Sequence, residues 1–139
     1  MRCCTCGSST VSFAVPESYR KFSQSEAPAA AICSQCLTVD ALEKDDETDS
    51  WTVSRNPTDF TSVSDAFPTR AEPAAGIALV IGLCSSLARN RTALEELLTD
   101  LERTGTDPLL TLERVCKDPS VEPAIDLERR LHQLEQLVY

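Results

Sequence analysis

The sequence is poor in the residues from which most catalytic and ligand-cradling sites are built. Among its 139 residues are one histidine, four glycines, one tryptophan, two tyrosines and four phenylalanines. The single histidine, His132, cannot assemble a histidine-based metal site, and no serine–aspartate motif accompanies it toward a nucleophilic triad. Scattered singly, the glycines leave no Gly-rich phosphate loop. With aromatics at 5%, a core has to be filled mainly by Leu, Val, Ile and Ala. The longest charge-free run, residues 73–88, is too short for a bilayer span and contains two glycines. The opening Met1-Arg2-Cys3-Cys4 lacks the apolar centre of a secretory leader. The expectation is a soluble, cytoplasmic protein with no membrane association, in which thiols stay reduced.

Lysine is also scarce: Lys21, Lys44 and Lys117 are the only three among 13 cationic side chains, against 22 carboxylates and a net charge of −9. Many carboxylates and few lysines suit a protein hydrated in concentrated salt, where screening lowers the cost of self-repulsion. This composition predicts a halophilic, acidic protein. The charge is uneven. Residues 1–37 carry a net +1, residues 38–75 carry −6 and residues 76–139 carry −4. Only the amino-terminal segment escapes the acidity.

What is present is enough apolar content, 42%, to exclude full disorder. The periodicities predict an α+β chain. Residues 8–15 alternate Val11, Phe13 and Val15 with small residues, as a strand does, and residues 29–32 form a second strand that Leu37, Thr38 and Val39 are expected to continue. Residues 17–22 read as a helical turn. Residues 43–50 are too charged to bury and read as a linker; Trp51, Phe60 and Phe67 beyond it look like anchors on a neighbouring unit. From Pro73 onward the pattern is helical. An almost wholly apolar helix containing Ile77, Leu79, Val80, Ile81 and Leu83 comes first. A second opens on a Thr92–Glu95 capping box, carries a Leu94, Leu97, Leu98 and Leu101 stripe and ends at Gly105. A third is capped by Asp107 ahead of Pro108. A fourth, from about Pro123, sets Leu127, Leu131, Leu134 and Val138 along one seam. The expected organisation is a β module at 1–40, an acidic linker with anchor segments at 41–72 and a bundle of about four helices at 73–139.

The strongest signal is cysteine spacing. Cys3-x-x-Cys6 is followed by Gly7, and Cys33-x-x-Cys36 comes 26 residues later. Two intervening residues let one tight turn aim both sulfurs at a common point, and two such knuckles on a hairpin make a closed site of four thiolates. Cys3, Cys6, Cys33 and Cys36 are therefore the candidate metal ligands. Zinc, one per chain and structural, suits them better than iron, because rubredoxin-like sites usually repeat Cys-Pro-x-Cys-Gly in the second knuckle. Four thiolates leave no open coordination position. A segment this small cannot bury enough surface to fold alone, so metal would supply the missing free energy. Cys4 reads as a spare thiol; Cys84 and Cys116 read as small apolar core residues.

These knuckles resemble a zinc ribbon, the Cys-x-x-Cys-Gly class of zinc finger, over about the first 40 residues. The second knuckle departs from that class in lacking its proline and the glycine after Cys36. The whole chain, with its ribbon, acidic linker, Ser64-Asp65-Ala66-Phe67-Pro68 stretch and closing Asp126-Leu127-Glu128-Arg129-Arg130 to His132-Gln133-Leu134-Glu135-Gln136-Leu137 helix, is similar to an uncharacterised haloarchaeal protein family, which implies a salt-loaded cytoplasm and no assigned activity. No convergent acid, base and nucleophile is found, so a non-enzymatic interaction or regulatory module is expected, with a protein partner or a homodimer through the last helix. The alternative is a nucleic-acid-binding ribbon using Arg2, Arg20 and Lys21 with Phe13, Tyr19 and Phe22, although three cations are few for phosphate contacts.

Overall fold

Val11, Phe13 and Val15 set the first strand against the core: Phe13 and Val15 are buried, and Val11 is partly buried against the same cluster. The computed structural model describes residues 10–15, 17–22, 29–41, 64, 66–68, 70–84, 89–119, 121–122 and 126–138. Three strands, β1 (Thr10–Ala14), β2 (Ala29–Cys33) and β3 (Val39–Ala41), form an antiparallel sheet in the order β1-β2-β3. Thr10 lies opposite Cys33, and Ile32 opposite Val39. The expected continuation of the second strand through Val39 is corrected. The chain turns at Ser34, Gln35 and Cys36, and Val39 returns antiparallel as a strand of its own. The central strand is buried along its whole length, and its run of alanines lets neighbours approach from both faces.

Among the described residues four helices follow: α1 (Ala71–Leu83), α2 (Arg91–Arg103), α3 (Pro108–Cys116) and α4 (Leu127–Val138). The chain is thus α+β, with the sheet toward the amino terminus and the helices after it. Every residue from 73 to 81 in α1 is buried, as a helix without a polar face requires. A Cβ added at Gly82 would lie 3.2 Å from Val39 Cβ, so the missing side chain is what lets α1 approach β3. Opposite, the short 3-10 helix Glu17–Phe22 presses Tyr19 toward Gly76.

Two helix starts differ from the sequence expectation. No capping box forms at Thr92–Glu95: the N-cap is Asn90, whose amide donates to the Leu83 carbonyl at 3.1 Å and ties the end of α1 to the start of α2. Glu95 is engaged by Arg91 instead, at 3.4 Å. The last helix starts at Leu127 and not near residue 123, because the Asp126 carboxylate accepts from Arg129 N–H at 3.1 Å and takes one of the orphan donors. The other signals are found as expected. Gly105 ends α2 with φ +88°, and Asp107 caps α3 by accepting from Leu110 N–H at 3.1 Å.

One hydrophobic cluster runs through both parts. It joins Phe13, Val15 and Ile32 of the sheet region to Ile77 and Val80 of α1, Leu97 and Leu101 of α2, Leu112 of α3 and Leu134 of α4. Phe67 is buried in it, as an anchor should be. Ser64 beside it is buried too, donating to Asp118 at 2.7 Å and accepting from Ala66 N–H. Trp51, Phe60 and the acidic stretch 43–50 lie outside the described residues.

Candidate metal centre

The second knuckle is built where β2 runs out. Cys33 closes the strand, and its N–H donates to the Thr38 carbonyl at 2.9 Å, which fixes the width of the turn to β3. Inside that loop the backbone folds around one sulfur: Gln35 N–H and Cys36 N–H both donate to Cys33 Sγ at 3.4 Å. Two backbone N–H groups thus converge on the sulfur that a metal would take as its ligand. The second sulfur, Cys36 Sγ, lies 3.0 Å from Thr38 Oγ1. Both cysteines are buried and pack together as a small cluster beside the main core.

The backbone after Cys36 resolves what the sequence made odd. Leu37 adopts φ +61°, the only positive φ of a non-glycine residue among those described. This is the conformation for which knuckles commonly use glycine, and a branched side chain is disfavoured in it by about 1–2 kcal/mol. Leu37 is also 3% exposed and belongs to the main core. Its burial contributes roughly 1.5–3 kcal/mol, which offsets the strain. The knuckle therefore keeps the glycine-type backbone while gaining a hydrophobic anchor beneath it.

A third tie comes from far along the chain. The Gln35 carbonyl accepts from Glu122 N–H at 2.6 Å, and the neighbouring Val121 is buried. The connection between α3 and α4 thus closes over the knuckle. Sequence reasoning did not anticipate Thr38, Val121 or Glu122 at this site; a hydroxyl two residues after the second cysteine was the one available signal.

Of the four candidate ligands, Cys33 and Cys36 are brought together, and Cys3 and Cys6 lie outside the described residues, as does Cys4. Among the described residues no group of three or more ligating side chains gathers, at this turn or anywhere else. Cys84 caps the end of α1 and is buried in the core, as expected, whereas Cys116 ends α3 and is only partly covered. Burial, eased by Arg130, pushes the Cys84 thiol up to about 12. Burial and then the carboxylates of Glu128, Asp126 and Glu113 push Cys116 up to about 11. Neither is an activated thiol. His132 is exposed, 3.4 Å from the Gln136 amide.

The aromatics of the amino-terminal part are structural. Phe13, Tyr19 and Phe22 are all buried, and Lys21 pairs with Glu96 at 3.2 Å while lying 5.0 Å from the Phe22 ring centroid. No helix among the described residues is long and apolar enough to cross a membrane.

A cysteine knuckle on a three-stranded antiparallel sheet, backed by four helices in a shared core, defines the class of this protein. The chain belongs to the family of unknown function DUF6276, whose family model matches residues 2–138. No curated protein and no solved structure matches it.

Proposed function

We propose that this is a non-enzymatic zinc-ribbon protein that works as an intracellular protein–protein interaction or regulatory module. Cys33 and Cys36, joined by Cys3 and Cys6, would hold one structural zinc. The observation that carries the reading is the pair of N–H bonds to Cys33 Sγ with Leu37 at positive φ. That is the turn a thiolate knuckle needs, and two soft sulfur donors suit zinc. Four thiolates leave no place for substrate or water, so the ion would act by holding the fold.

Protein purified without chelator should contain about one zinc per chain, and Cys33→Ser should lose it; iron, or no metal in the wild-type protein, would overturn the ligand assignment. The interaction role is tested by affinity capture from the native lysate. A protein retained in stoichiometric amount and released by chelation supports it. Recovery of the chain alone, or with nucleic acid only, refutes it. A nucleic-acid role draws less support, because the aromatics that would stack on bases are in the core and Lys21 is engaged by Glu96.

A further inference from the structure

The helices enclose a concavity among the described residues. It is an open groove of about 850 Å³ between the end of α2, the outer face of α3 and the flank of α4. Its floor is apolar: Leu109, Leu131 and Cys116 are each partly covered, and Leu110, 44% exposed, is the one large hydrophobic side chain left exposed among the described residues. Around that floor stand Glu102, Asp107, Glu113, Glu128 and Glu135, five carboxylates, with Lys117 as the lone lysine and its ammonium 3.0 Å from Glu113. The negative field reaches the floor itself, since three carboxylates contribute to raising the Cys116 thiol.

An apolar floor inside an acidic rim selects its occupant by charge. A second copy of this chain would bring a net −9 against five carboxylates, and a nucleic acid would be repelled more strongly. The seam of α4 that could have paired two copies is largely consumed: Leu127 and Leu134 are buried within the bundle, and only Leu131 reaches the groove. We infer that the groove between α2, α3 and α4 docks a basic amphipathic helix of a partner protein, leucine-type side chains settling on Leu110 and Leu131 and arginines meeting the glutamates of the rim. This rests on the interaction reading above and specifies the partner's chemistry. Arginine suits the rim because its planar donors match carboxylates two at a time.

The test uses the full chain and three fluorescein-labelled helical peptides of about five turns. One has a leucine face flanked by arginines, one the same leucines flanked by glutamates, and one the arginines with alanines in place of leucines. The Leu/Arg peptide should bind, more weakly as salt rises, and the other two should bind at least about tenfold less tightly, the effect of losing one good anchor or the complementary charge. Leu110→Glu, an exposed change that leaves the core alone, should weaken the Leu/Arg peptide by about tenfold or more. No binding of the Leu/Arg peptide, equal binding of the alanine peptide, or affinity unchanged by Leu110→Glu would overturn the proposal. Lysate capture separates this from the broader reading. A partner retained equally by wild type and Leu110→Glu removes the groove and leaves the interaction role standing, whereas a partner lost with Leu110→Glu supports both.

Discussion

Leu37 is the residue at which strain and burial oppose each other most directly, so its substitution tests how the knuckle is held. Leu37→Gly relieves a left-handed backbone that disfavours leucine by about 1–2 kcal/mol. It also removes a side chain that is 3% exposed and part of the main core; truncating a buried leucine to alanine costs about 3–5 kcal/mol once the cavity is included. Burial should win, leaving Leu37→Gly about 2 kcal/mol less stable than wild type. Leu37→Ala loses nearly as much packing and keeps the strain, so it should fall about 1 kcal/mol further. The order is then wild type, glycine, alanine, with Tm steps of roughly 3–6 °C per kcal/mol for a chain of this size. The assay is helix unfolding followed at 222 nm, because Leu37 shares its core with α1 and the other helices. A cobalt-substituted sample, read by its visible absorption, reports whether thiolate ligation is kept. Glycine at wild-type stability, or alanine above glycine, would refute the balance. A helical transition indifferent to both variants would refute the shared core.

Three smaller predictions follow from the packing and the thiols. Gly76→Ala gains about 1 kcal/mol of helix propensity, but its Cβ would sit 2.6 Å from Leu101 Cδ2 and 3.2 Å from the Tyr19 ring. Leu101 is fully buried, so overpacking of about 1–3 kcal/mol should prevail, and a raised denaturation midpoint would contradict this. Tyr19 buries a hydroxyl with no hydrogen-bond partner among the described residues, so Tyr19→Phe should hold or raise stability by up to about 1 kcal/mol; a clear loss in urea unfolding would show that the hydroxyl is bonded. Cys116, raised to about 11 from 9.0, is overwhelmingly a thiol at pH 8, and its thiolate appears only as pH climbs toward 11. Native-state alkylation at pH 8 should therefore run about a hundredfold slower than for an ordinary thiol, and labelling as fast as in the urea-unfolded chain would refute it.

What the sequence made legible was local. The Val11, Phe13 and Val15 alternation, the Leu94 to Leu101 stripe, Gly105 and the Asp107–Pro108 cap each carry their signal within one or two turns, and each is found where that signal places it. The helix starts went astray where two plausible caps competed. Thr92 offered a box, but Asn90 could satisfy Leu83 as well as begin α2, and that tie between helices is invisible in a window of ten residues. The same limit explains the knuckle. Spacing marks Cys33 and Cys36 as a turn, yet the absence of glycine after Cys36 could not reveal whether the backbone geometry survives, because what sustains it is burial of Leu37 in a core assembled from distant parts of the chain. Nor could the sequence disclose the bond from Glu122 N–H to the Gln35 carbonyl or the close approach of Gly82 to Val39. These long-range ties alter the expected consequence of metal loss. Read from sequence, a ribbon tethered by an acidic linker would unfold by itself and leave the helices intact. With the knuckle clasped by the α3–α4 connection and β3 resting on α1, the free energy of a metal held there, on the order of 10 kcal/mol, would be shared with the bundle. Chelation should then lower the helical midpoint as well as open the knuckle.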